Sequence, residues 1–340
     1  MPELVERVDD LQRRKRALGL PLGVVYKFFD DQGNYQAAIL TYYSFIAIFP
    51  LLLIASSVLG FVLQGQEGLQ RRVLSSTLSQ FPIVGTQIGR PEGLHGSASA
   101  VVIGALAALY GVLGLGQAAQ NALNVAWAIP RNSRLNPVLS RLRSFVLLTV
   151  GGLSVLVVAI LSSLGSHLEI FGSSVDIGVR WVVRIASVVV TALVLAVMMS
   201  LGTSQRHRLR TVLPGSIAIA LLWLLLQFLG GVYVGHVINR VNEMNGVFAL
   251  VLGLFALLYL AAMMAVIGIE LNVVLAKKLY PRALLTPFTD EVQLTDADRR
   301  VYTEYANAQR HKGFERVTVS FDHDAEAATE PATEAATEDG

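Results

Sequence analysis

The chain has 340 residues, of which 53% are hydrophobic and only 15% are charged. That balance excludes an ordinary soluble domain, because the charges cluster between long apolar runs. The net charge of +2 gives no ground for a nucleic-acid partner, and the lack of cysteine excludes a disulfide framework, a thiolate metal site and a thiol nucleophile.

Residues 1–35 read as a cytoplasmic basic arm with Arg13, Arg14, Lys15 and Arg16 in a cluster. They hold no short apolar core and no small-residue cleavage site, so no signal peptide is expected. Leu20 to Gln36 is too polar to span and suits a helix lying at the membrane surface, or a soluble lead-in helix. Residues 36–285 carry the expected membrane domain. Its spans are Ala37–Leu63, Ser99–Ile129, Ser144–Leu164, Val182–Leu201, Thr211–Val234 and Gly246–Ala276. Each approaches or exceeds the ~20 apolar residues that a helix needs to cross a bilayer. Pro50 should kink the first span, because its ring removes a helical hydrogen bond. Pro130 closes the second, and Pro214 sits in the first turn of the fifth, where proline is tolerated. Leu69 to Leu78 is read as a short helix in the first long loop. Residues 286–321 are expected to form a cytoplasmic segment with a helix over Leu294–His311, capped by Thr295 and Asp296. From Asp322 to Gly340 the composition is that of a disordered acidic tail. The expected fold is all-α, a polytopic bundle of six transmembrane helices.

Orientation follows from the basic residues. Of the 27 lysines and arginines, 21 fall in the N-terminal arm, the loops after spans two and four, and the C-terminal region. That bias places both termini in the cytoplasm of a bacterial inner membrane. Arg184, on the other side, is read as snorkelling to headgroups.

Several polar residues lie inside the apolar runs. Glu270 is the only ionisable residue between Gly246 and Lys277. A carboxylate at such depth needs protein or water and a partner. In the second span Gln117, Asn121 and Asn124 share one helical face, with Gln120 beside them. By depth, Glu270 and Asn272 sit near the cytoplasmic end of span six, level with these amides. Gln36 opens span one there, and Arg141, Arg143 and Arg210 precede spans three and five. The expectation is a polar cytoplasmic vestibule in which Glu270 pairs with one of these arginines. Interhelical amide bonding is the other account of the stripe. Gly111, Gly114 and Gly116 read as packing residues, and Trp127, Trp181 and Trp223 as interfacial belt residues.

Four motifs now carry a resemblance. Gln36-Ala37-Ala38-Ile39-Leu40-Thr41-Tyr42-Tyr43-Ser44 with Phe49-Pro50-Leu51-Leu52-Leu53, Ala122 to Trp127, Leu213-Pro214-Gly215-Ser216, and Gly268-Ile269-Glu270-Leu271-Asn272 together resemble the YihY/BrkB membrane proteins. The chain departs from that pattern at Thr41 and Ile269, where alanine is common. The resemblance covers Leu20 to Leu285 and implies a six-helix inner-membrane protein. The family's older ribonuclease BN label implies a nuclease, and the residues speak against it. The six histidines are scattered rather than grouped with carboxylates as a catalytic metal requires. No enzyme activity, cofactor or nucleic-acid partner is expected.

The functional expectation is a transporter or flippase-like protein moving an amphiphilic or lipid-linked substrate among membrane lipids. Glu270 would be its proton- or cation-sensitive group, and Asn124, Asn121 and Gln117 would line the path. The alternative is a non-transporting scaffold that recruits envelope-assembly partners. A homo-oligomer is compatible with either.

Overall fold

The computed structural model describes residues 9, 12–62, 98–167, 177–236, 243–286 and 292–321. The regular elements among them are all helical. A short α1 (Arg16–Asp30) leads into six long helices: α2 (Gly33–Val62), α3 (Ala98–Ala126), α4 (Pro137–His167), α5 (Ile177–Gly202), α6 (Leu209–His236) and α7 (Glu243–Lys277). A short α8 (Asp296–Ala308) comes last. The helix expected over Leu69–Leu78 and the acidic tail lie outside the described residues. The kink expected at Pro50 lies where the structure describes the backbone alone, and α2 is continuous through that position.

Four of the long helices carry stretches long and apolar enough to cross a membrane: Pro137–Val155, Arg184–Gly202, Leu209–Val232 and Val251–Lys277. α2 and α3 occupy the positions of the first two expected spans. Each long helix packs on the next in sequence, and α7 packs back on α2, which closes a ring. α3 also touches α5 and α7 across it.

Close approach is built from small residues. Added side-chain carbons at Gly111 and Gly114 of α3 would run into Ile46 and Tyr43 of α2, and one at Gly116 into Ser144 of α4. These glycines therefore serve helix packing, as the sequence suggested. The tightest seam joins α6 to α7, where Gly215 and Gly268 face each other and neither has room for a Cβ.

The bundle is apolar on its outer faces and holds polar groups within a largely apolar interior. Its outer faces expose Leu153, Val189, Leu193, Leu225, Phe228 and Leu252. Its interior buries Gln120, Asn124, Ser144, Ser216, Glu270 and Asn272. Isolated exposed leucines are ordinary, but buried polar groups beneath a continuous apolar exterior fit a protein surrounded by hydrocarbon.

One end of the bundle gathers most of the arginine and lysine and is the basic end. There α3 and α7 stop in the same way. Ile129 N–H reaches back to Asn124 O (2.9 Å) and Ala128 N–H to Val125 O (2.8 Å). Leu279 N–H bonds Val274 O at 3.0 Å. Ala128 and Lys278 adopt the left-handed conformation, with φ of 51° and 54°. Without glycine this conformation costs about 1–2 kcal/mol. Burial of Ile129 and Leu279 just beyond the turn offsets the cost. The turn also carries Trp127 inward. It is buried and stacks on His207, ring centroids 3.7 Å apart, so it is not the exposed belt residue expected.

α1 sits across this end. Gly19, Gly23, Lys27 and Asp31 recur every fourth residue and form one buried ridge. Gly23 admits the backbone of the α7 exit, since a Cβ there would stand 3.0 Å from Leu279 O, and Gly19 admits Gln12, whose carbonyl oxygen would stand 3.0 Å from its Cβ. The opposite face exposes Leu18, Val25 and Phe29, which suits contact with a membrane surface. α8 is capped by Thr295, whose side chain accepts from Asp298 N–H. Asp298, not Asp296, closes the reciprocal capping box. Buried Arg282 ties these pieces together. Its guanidinium meets Asp298 of α8 and, at 3.0 Å, Asp30 of α1, while its carbonyl accepts from Gln12.

Candidate functional site

Two polar centres occupy the basic end. The first surrounds Glu270, which is 1% exposed. Its partner is Lys27 of α1, with Nζ 3.6 Å from Glu270 Oε2. The arginine pairing expected from depth is therefore corrected. Arg141 and Arg210 are solvent-exposed, and Arg143 Nη1 donates to Thr203 O at 2.7 Å. Depth limited the choice to groups at this level but left out α1, which brings a cation under the bundle. Lys27 also pairs with Asp31 and donates to Ala126 O at 3.1 Å, satisfying a carbonyl at the end of α3.

With both acids ionised, this cluster holds two negative charges and one positive. Tyr305 of α8 closes it from the other side, with Lys27 Nζ 5.1 Å from its ring. The Tyr305 hydroxyl and Glu270 Oε2 are both buried without a hydrogen-bond partner among the described residues. Burial, with Asp31 next, raises the Tyr305 pKa well above its usual value. A second lysine reinforces the junction: Lys277 Nζ donates to Trp127 O (3.0 Å) and meets Glu304 of α8 (2.8 Å). The centre is a buried clasp joining α1, α3, α7 and α8.

The second centre is the amide stripe. Gln117, Gln120, Asn121 and Asn124 line a shallow recess of about 160 Å³ together with Arg134, Leu135, Ser140 and Ser204. Gln120 Nε2 donates to Ser144 Oγ (2.8 Å) and Ser140 O (2.9 Å), bolting α3 to α4. Asn124 Oδ1 accepts from Ser204 N–H at 3.0 Å, which seats the α5–α6 connection. Asn121 bonds Gln36 at 3.3 Å on one side and Arg134 at 3.3 Å on the other. The stripe thus both ties helices together and faces an open recess.

The two centres are separate. Neither Glu270 nor Asn272 lines the recess. Asn272 points instead into the α6–α7 seam, where its Oδ1 accepts from Gly215 N–H at 2.6 Å and its Nδ2 contacts Met199 Sδ at 3.4 Å. Two of the sequence motifs therefore meet each other across that seam: Leu213-Pro214-Gly215-Ser216 and Gly268 to Asn272.

Sequence reasoning missed Lys27, Asp31, Tyr305 and Arg134. The four-residue spacing of Gly19, Gly23, Lys27 and Asp31 was the available signal for the first two. A glycine ridge that ends in an i, i+4 ion pair marks a helix face pressed against protein.

An all-helical bundle with apolar outer faces, polar groups inside and four bilayer-length apolar helices defines a multi-pass integral membrane protein. The family model described as Virulence factor BrkB matches residues 24–290, and the chain belongs to that family. No curated protein and no solved structure matched the chain.

Proposed function

We propose that the protein is a six-span inner-membrane transporter of flippase-like character, with both termini in the cytoplasm. It would move an amphiphilic or lipid-linked molecule whose head group sits in the amide recess. The observation that supports this most is the recess itself. It is polar and open, it lies at the basic end, and the bundle around it is apolar outside, an arrangement that suits a molecule with a polar head and an apolar tail. On this reading Glu270 acts through the Lys27 clasp rather than as part of the path, and no bond-making chemistry is assigned to the protein.

The test is lipid movement in proteoliposomes. A lipid labelled on its head group is incorporated, and the label reachable from outside is quenched. Wild-type protein should expose more label over time than protein-free vesicles. Asn124→Ala and Gln117→Ala should slow that exposure by about tenfold, the loss of one well-placed polar contact. Equal rates with and without protein would overturn the proposal.

A second reading, a non-transporting scaffold, draws on the Arg282 junction, which fixes the N-terminal arm, the α7 exit and α8 as one platform. Deleting Ala325–Gly340 separates the two: a scaffold recruiting partners through that tail loses function, and a transporter does not.

A further inference from the structure

Charge at the basic end divides into two unlike halves. In the half built from α1, the α7 exit and α8, cations meet acids: Lys27 with Asp31 and Glu270, Lys277 with Glu304, Arg282 with Asp30 and Asp298. The other half is built from the α3–α4 and α5–α6 connections. It carries seven arginines, four from Arg131 to Arg143 and three from Arg206 to Arg210, in a sequence with no Asp or Glu over 93–168 or 177–242. Among the described residues none of the seven reaches a carboxylate. Positive charge drawn to one side of a membrane explains the arginines, but not the complete lack of acids beside them.

The recess lies within this uncompensated half. Arg134, only partly exposed, forms part of its lining. Arg134 Nη1 donates to Asn121 Oδ1 and Nε to Ile129 O, both neutral acceptors, which leaves Nη2 without a partner among the described residues. Burial and the neighbouring Arg131 both push its pKa down, as expected for a guanidinium with a like charge nearby and no acid. Asn124 spends its oxygen on Ser204 N–H, so its amide N–H groups remain available. Arg143 holds the opposite wall in place through Thr203 O. Donors therefore converge on the recess, and no acidic side chain among the described residues receives them.

We propose that this recess binds a phosphate group, presented by the head of a membrane lipid or lipid-linked molecule. This deepens the functional reading above and rests on the recess being the substrate seat. Phosphate fits because it brings up to two charges and several acceptor oxygens, which a planar guanidinium engages as a fork. A singly charged carboxylate leaves more of the arginine set unmatched. Anionic lipid is also the counter-ion a basic membrane face normally meets.

The experiment uses the full chain purified in a neutral detergent. Apparent Tm is followed while short-chain phosphatidic acid, short-chain phosphatidylcholine, inorganic phosphate or sodium chloride is added. The expected result is a saturable rise with phosphatidic acid, about tenfold weaker in Arg134→Gln. The exposed double variant Arg131→Gln/Arg206→Gln gives an independent check if Arg134→Gln lowers the starting Tm. It should also weaken the response, while keeping the unliganded Tm of wild type. Saturation by inorganic phosphate as well would assign the affinity to the phosphate itself, and saturation by phosphatidic acid alone would assign it to the lipid; both support the site. Equal titrations in wild type and both variants would overturn it, as would a rise that only tracks ionic strength. Saturable binding of phosphatidylcholine with no preference for phosphatidic acid would sink the proposal yet leave an amphiphile seat. Selective binding without lipid movement in vesicles would leave the site and remove the transporter.

Discussion

Replacing Lys27 with methionine keeps the volume and removes the charge on which the clasp depends. Three groups lose their cation together: Asp31, Glu270 and the Ala126 carbonyl. Taking one partner from a buried ion cluster costs about 3–5 kcal/mol, because the remaining charges stay desolvated. The figure applies in full because Lys27 and Glu270 are each only 1% exposed, so solvent screens little of the interaction. With about 1.4 °C per kcal/mol for a chain of 340 residues, the apparent Tm in detergent should fall by about 4–7 °C. Glu270→Gln should cost less, because Lys27 keeps Asp31. The double variant should recover part of the Lys27→Met loss, with a coupling of about 1–3 kcal/mol. A fall of less than about 3 °C in Lys27→Met, or strict additivity in the double variant, would refute the clasp as an energetic unit.

Two further outcomes come from the same geometry. Gly268→Ala should prevent assembly of the α6–α7 seam, since its Cβ would overlap Ile219 while the Gly215 backbone stands opposite; the readout is loss of monodisperse protein on gel filtration. Gly152→Ala, where nothing lies within 4 Å, is the silent control. Alkaline titration tests Lys27 directly. Burial lowers its pKa, but Glu270 and Asp31 raise it by more, so the folded value lies above 10.5. The stability it contributes is complete below the unfolded value and is lost as pH rises through the folded one. Wild type should therefore lose more Tm above about pH 10.5 than Lys27→Met does.

The membrane helices were legible because apolar length is a local property: no distant residue is needed to see that Val251–Lys277 cannot be soluble. The packing glycines of α3 were legible for a similar reason, since small residues in an apolar run have few other uses. The partner of Glu270 was not, because it stands 243 positions earlier, in a stretch that is polar overall and reads as a surface helix. Hydropathy averages over a window and so concealed a ridge only one residue wide. The amide stripe was recognised as a shared face, but its separation from Glu270 depended on which way α3 and α7 turn about their axes. Sequence depth fixes height in the membrane and leaves that rotation open. Arg134 was passed over because a loop arginine looks like an orientation signal until its lack of any acidic neighbour is noticed.

Ring closure imposes an order on biogenesis. The first long helix leaves the ribosome some two hundred residues before the one that must flank it, and Lys27 waits equally long for Glu270. Until α7 arrives, one side of α2 lacks the helix that packs on it, and of the acids paired with Lys27 only Asp31 is present. Arrival of α7 completes the circle and the ion cluster in one event, so a chain stopped short of Gly246 should remain an unsealed arc that quality-control proteases can recognise.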